Sequence, residues 1–177
     1  MKKYYLKKFL ALNIQLPTPK GLTLVELIIV IAIVGILAAI IFSALNPVEQ
    51  IRKSTDARRK SDLEQLQRAL ESYYQDSGSY PTADVNNQIT GAGWGTAWLP
   101  YLGKVPKDPI SSNKYVYFSP AGRQSYYLYA NLERGSRDTQ ACFTTGAACT
   151  SIAANGLSAT ACGGTCNYGV SSPNVTP

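Results

Sequence analysis

Residues 21–45 read GLTLVELIIVIAIVGILAAIIFSAL, and this stretch decides the architecture. From Leu27 to Leu45 the chain runs 19 residues without a charge, broken only by Gly35 and Ser43. As a helix rising 1.5 Å per residue it spans about 28 Å, close to the hydrocarbon thickness of a bilayer. A helix packed in a soluble core shows a polar face, and this run has none. It reads as a transmembrane helix. Thr23-Leu24-Val25-Glu26, at its start, fits the capping-box pattern.

The 177 residues carry a net charge of +6, four cysteines and no histidine. Without histidine there is no Ser-His-Asp or Cys-His pair and no imidazole metal site. The carboxylates are scattered and no nucleophile–base pair is visible, so an enzyme is not expected. The charge is unevenly placed. Lys2, Lys3, Lys7, Lys8 and Lys20 precede the apolar run without an acid among them, and from Leu22 onward twelve cations face eleven acids. The cations between Arg52 and Lys60 are diluted by Asp56, with Asp62 just beyond, and lack aromatic interleaving, so a nucleic-acid partner is not expected.

Four stretches follow from composition: a leader over 1–21, a transmembrane and assembly helix over 22–45, an amphipathic helical continuation over 46–77, and a globular head over 78–177. Leu63, Leu66, Leu70 and Tyr73 recur at steps of three and four, which makes one helical stripe. Between Arg52 and Lys60 nearly every residue is polar, so that stretch is expected to bury little. The pattern predicts one long helix from Thr23 to Gln75, ended by Asp76-Ser77-Gly78, with Pro47 the place for a kink. Residues 78–113 are punctuated by Gly and Pro and read as loops. Lys114–Phe118 and Ser125–Asn131 read as strands joined by a turn over 119–124. Tyr115, Tyr117, Tyr127 and Tyr129 stand at period two, which predicts one sheet face lined with tyrosine. No charged residue follows Asp138.

The basic leader, the junction Lys20-Gly21 ahead of the apolar run, and Gly21-Leu22-Thr23-Leu24-Val25-Glu26-Leu27-Ile28 together resemble the prepilin motif of type IV pilins and type II secretion pseudopilins. The family usually has Phe where this chain has Leu22. Asn46-Pro47-Val48-Glu49-Gln50, the run Asp56–Leu63 and Tyr73–Pro81 are similar to pilin-like proteins. Val105-Pro106-Lys107-Asp108-Pro109 ahead of Tyr115-Val116-Tyr117 is similar to the major pseudopilin of type II secretion. The resemblance covers about residues 15–131.

The resemblance implies an α+β pilin-like fold: a long N-terminal helix, its first half transmembrane, packed on a small antiparallel sheet; the C-terminal tail, which lies beyond the resemblance, is read as disulfide-bearing from its cysteines. It implies cleavage between Gly21 and Leu22 by a prepilin peptidase, which then methylates the amine of Leu22, leaving the apolar helix on the mature chain. The function implied is a structural subunit of a type II secretion pseudopilus or type IV pilus, assembled through its N-terminal helix and supporting protein secretion. The alternative is a surface pilin for adhesion, motility or DNA uptake. Its partners would be copies of itself, minor pilins or pseudopilins, the peptidase, an inner-membrane assembly platform and the lipid bilayer.

Glu26 can be read from chemistry alone. A carboxylate at the lipid end of a spanning helix is costly unless paired. It can cap its own helix at Thr23, or pair with the free amine of Leu22 on a neighbouring parallel helix and so set register. The five leader lysines are balanced by Arg52, Lys53, Arg58, Arg59 and Lys60 beyond the helix, so charge bias alone gives no orientation. A cytoplasmic-side peptidase, and cysteines that favour an oxidising compartment, place the N-terminus in the cytoplasm and the head outside the inner membrane.

Cys142, Cys149, Cys162 and Cys166 allow three disulfide connectivities, of which the local pairing Cys142–Cys149 with Cys162–Cys166 is preferred over the nested one. Their spacings do not match structural zinc sites. Major pseudopilins bind calcium in a loop after the second strand, and Glu133, Ser136 and Asp138 lie in the matching region. Read from the residues alone, these three are solvated loop groups beside Arg134 and Arg137, and no cofactor is expected.

Overall fold

The computed structural model describes residues 21–177, so the leader and its five lysines lie outside the described residues apart from Gly21. Helix α1 covers Leu24–Leu45 and helix α2 covers Pro47–Ser77. The single helix expected from Thr23 to Gln75 is therefore divided at Asn46, whose backbone is left-handed at φ 41. Pro47 supplies the cause, since a proline disfavours the α conformation in the residue before it, and asparagine tolerates the left-handed region. The chain separates into two units at this point, Met1–Leu45 and Asn46–Pro177.

In the second unit, α2 ends as the sequence predicts. Gly78 adopts φ 68 and donates its N–H to the Tyr74 carbonyl at 2.8 Å, closing the last turn. The stripe Leu63, Leu66 and Leu70 is completely buried. It packs on one face of a three-stranded antiparallel sheet, β1 (Val116–Phe118), β2 (Tyr127–Ala130) and β3 (Tyr168–Ser171), in the order β1-β2-β3. A short helix α3 (Thr150–Ala154) lies between β2 and β3.

The sheet register corrects one expectation. Val116 pairs with Tyr129 and Tyr117 with Leu128, so the tyrosines divide between the two faces. Tyr115 and Tyr117 join Tyr126, Leu128 and Ala130 in the core against α2. Tyr129, with Tyr127 partly buried beside it, joins Val116, Cys149, Ile152, Cys162 and Cys166 in a second cluster. A period of two places residues on one face within a strand, but the turn decides how two strands match. Arg123, at φ 52, closes that turn with its N–H on the Pro120 carbonyl at 2.8 Å.

A core this rich in tyrosine needs acceptors for its hydroxyls. Tyr115 donates to Asp62 at 2.7 Å, Tyr117 to the Pro81 carbonyl at 2.7 Å, and Tyr80 and Tyr126 both donate to Glu71. Burial, then the hydrogen bond to Asp62, pushes the Tyr115 phenol well above its ordinary range and keeps it a donor. Residues 78–113 are loop, held by isolated bridges at Ala83–Ile89, Ile89–Ala92 and Trp98–Leu102. Their buried Tyr80, Ile89, Trp98, Leu102 and Val105 extend the core beside α2.

Candidate functional site

Helix α1 leaves its apolar run uncovered over Leu24–Phe42. The 19 residues Leu24–Phe42, apolar but for Glu26 near their start, are long enough to cross a bilayer, and none of them is buried within the chain. Leu22 is 74% exposed and Phe42 70% exposed. A run of large aliphatic groups this long has no stable place in water, so it requires lipid or other helices around it. Gly21, Leu22 and Thr23 precede the first helical residue. The Gly21–Leu22 bond thus lies ahead of the helix, and among the described residues nothing crowds Gly21. Thr23 Oγ1 accepts the Glu26 N–H at 3.2 Å, which is the threonine half of a capping box. Among the described residues the Glu26 carboxylate has no ion-pair partner.

The four cysteines form two local pairs, Cys142–Cys149 and Cys162–Cys166, with Cα separations of 5.1 and 5.4 Å. Cys149, Cys162 and Cys166 are buried against the Val116 and Tyr129 face of the sheet. The bridges thus hold the uncharged tail on the face that α2 does not cover.

The polar stretch Arg52–Lys60 is not idle, and here the structure overturns the sequence expectation. Arg59 is completely buried and Asp56 nearly so. Arg59 grips Asp108 with two prongs, Nε to Oδ2 at 2.8 Å and Nη2 to Oδ1 at 3.1 Å. Its Nη1 donates to Asp56 at 2.9 Å and reaches Glu133 at 3.4 Å. Asp56 in turn accepts the backbone N–H groups of Glu133 and Arg134, each at 2.9 Å. Burial works against the guanidinium charge, but Asp108 and Asp56 outweigh it and hold the Arg59 pKa above its ordinary value. One turn of α2 thereby gathers the Pro106–Pro109 segment and the loop after β2.

Glu133 and Asp138 are therefore not simply solvated. Glu133 faces Arg59 and Arg52, Asp138 pairs with Lys60, and Ser136 is exposed. Arg134 and Arg137 pair with Glu49 on α2. Among the described residues no group of three or more His, Cys, Asp or Glu side chains is placed to hold a metal ion. The signal for this network lies in the spacing. Positions 56 and 59 continue the stripe of 63, 66 and 70 toward the N-terminus, with charged residues in place of leucine.

A family model described as "Type II secretion system (T2SS), protein G" matches residues 46–142, the segment that contains α2, the Pro106–Pro109 segment and the Glu133–Asp138 loop. The chain belongs to this protein G family. A second model, "Prokaryotic N-terminal methylation motif", matches residues 18–42. The chain is similar to proteins named type II secretion system core protein G. It is 31% identical to that of Pseudomonas aeruginosa over 131 residues, covering 68% of this chain and 90% of the relative. It is 30% identical to that of Vibrio cholerae over 130 residues, covering 68% and 87%. It is 29% identical to that of Escherichia coli K12 over 131 residues, covering 68% and 86%. No solved structure matches the chain. Of the two systems the sequence resembles, membership of the protein G family selects the secretion side, and the surface-pilin alternative is not favoured.

Proposed function

We propose that this chain is the repeating structural subunit of a secretion pseudopilus, cut between Gly21 and Leu22, methylated on Leu22 and built into a fibre through α1. The observation that carries the reading is the uncovered apolar span Leu24–Phe42 within the methylation-motif match, on a chain whose other unit is a protein G head. Before assembly the helix sits in the inner membrane with its N-terminus cytoplasmic. Lipid tails are as apolar as leucine, so moving α1 from bilayer to a core of like helices changes little hydrophobic free energy. Contact with water is the costly alternative, at about 25 cal/mol per Å² of apolar surface. Assembly thus needs a selective contact more than a stronger apolar one.

Glu26 meets that need. Cleavage creates an amine at Leu22, and the Glu26 carboxylate of one subunit neutralises the amine of another at low dielectric, where the attraction is strong. The pairing favours one axial offset between subunits. The position of the Gly21–Leu22 bond ahead of the first helical residue, and the lack of an ion-pair partner for Glu26 among the described residues, support this reading. Its partners are further copies of the chain, minor pseudopilins, the prepilin peptidase and a membrane assembly platform. Mass spectrometry of the membrane fraction tests the core of the proposal. A mature chain beginning with methylated Leu22 is expected, and any other mature N-terminus overturns it.

A further inference from the structure

The loop after β2 is where calcium is implied by the resemblance to major pseudopilins. Calcium takes six to eight oxygen ligands, carboxylates foremost. The residues here do not fit that need. Asp138 Oδ2 accepts from Lys60 Nζ at 2.6 Å, and its Oδ1 accepts the Gln140 N–H at 2.9 Å. Glu133 lies 3.4 Å from Arg59 Nη1 and 3.7 Å from Arg52 Nε. Both loop carboxylates thus already hold protein cations, and Arg134 and Arg137 add two more positive charges to the same loop. A divalent ion would have to displace Lys60 and settle beside the arginines.

Lys60 itself is surrounded as a bound cation would be. Its ammonium has three donors. They meet Asp138 at 2.6 Å, the Gln140 side-chain carbonyl at 2.8 Å, and the face of Tyr168, whose ring centre is 5.6 Å away. Lys60 and Asp138 side chains are each under one-fifth exposed, so the pair is only partly screened by water. Arg59 fastens the other end of the loop at Glu133, while Asp56 takes the two backbone N–H groups. We propose that the Lys60 ammonium, with Arg59 beside it, occupies the role of a loop-ordering metal, so that this head is held by cations of its own α2 and does not bind calcium. Such a cation is covalently attached and cannot dissociate. The order of residues 133–140 is then indifferent to the ambient calcium level. This inference concerns the head alone and stands apart from the fibre reading.

The full chain in detergent micelles provides the test. Its thermal midpoint should be the same, within about 1 °C, in excess EGTA and in millimolar calcium chloride, because a ligand that does not bind cannot shift unfolding. Titration calorimetry with calcium chloride should show no binding to the wild-type chain. Lys60→Met should lower the midpoint by several degrees in EGTA, with faster amide exchange over residues 133–140. Asp138→Asn keeps the lysine and removes its acceptor charge, and should show the same loss in milder form. A midpoint that rises with calcium in the wild type overturns the proposal, as does a calorimetric calcium site. Lys60→Met and Asp138→Asn chains that both melt with the wild type also overturn it.

Discussion

Arg59→Met removes the cation shared by Asp108, Asp56 and Glu133. Three short charged hydrogen bonds, at 2.8, 3.1 and 2.9 Å, disappear with it. At about 1.5–3 kcal/mol apiece they would sum to well over 4 kcal/mol, but the wild type also suffers the desolvation of the guanidinium, which methionine avoids. What remains is the fate of the carboxylates. Asp56 keeps two backbone N–H donors, whereas Asp108, almost wholly buried, keeps among the described residues only the Ile110 N–H. The stranded Asp108 dominates, and the expected loss is about 3–5 kcal/mol. Trp94 and Trp98, the two tryptophans, both lie in the head, so urea unfolding of the full chain in micelles, followed by tryptophan fluorescence, reads the head without interference from α1. The double variant Arg59→Met/Asp108→Leu removes charge with charge and should recover to within about 2 kcal/mol of wild type. A single variant within about 1 kcal/mol of wild type refutes the reasoning, and so does a double variant no more stable than the single.

Glu26→Gln keeps the helix length and cap but removes the charge, and should leave processed, membrane-inserted subunit that fails to enter sheared fibres; normal incorporation would exclude the amine pairing. Leu66→Ala empties a fully buried position against the sheet and should cost about 2–5 kcal/mol in the same urea assay. Replacing Cys162 and Cys166 together by alanine releases a bridge closing a separation of 4 residues. Chain entropy for so short a loop sets the loss at about 2 kcal/mol, measurable as a lowered urea midpoint. Desolvation pushes the Asp138 carboxyl up, but the Lys60 hydrogen bond, the Gln140 N–H and the charges of Lys60 and Arg134 outweigh it and hold its pKa below the ordinary value. A depressed folded pKa contributes stability above the unfolded value and loses it as pH falls. The stability gap between wild type and Asp138→Asn should therefore be constant at neutral pH and close below about pH 4.

What the sequence discloses here depends on whether one residue type carries the signal. The apolar run of α1, the Leu63-Leu66-Leu70 stripe and the Gly78 stop are each visible because hydrophobicity or backbone freedom alone sets them. Arg59 is opaque for the opposite reason. A charged residue in a polar run looks solvated until its partners are known, and Asp108 and Glu133 lie 49 and 74 residues away. Strand β3 is similar, since Tyr168–Ser171 is short and flanked by Cys and Asn, and only pairing with β2 defines it. The tyrosine faces fail on register, which is a property of two strands and their turn. The sequence marks the division of the long helix at Pro47, but the break falls on Asn46, the residue whose backbone the proline constrains.

The turn of α2 that carries Asp56, Arg59 and Lys60 also bears on kinetics. It joins segments 49, 74 and 78 residues distant along the chain. Interactions between such remote segments meet their loop-closure entropy late in folding. Substitutions there should give φ-values near zero, leaving the folding rate almost unchanged and accelerating unfolding. Resistance of the folded head to proteases depends on how seldom it opens. A charged turn that contributes nothing to the speed of folding is then the part of the head that sets how long, once folded, it stays shut.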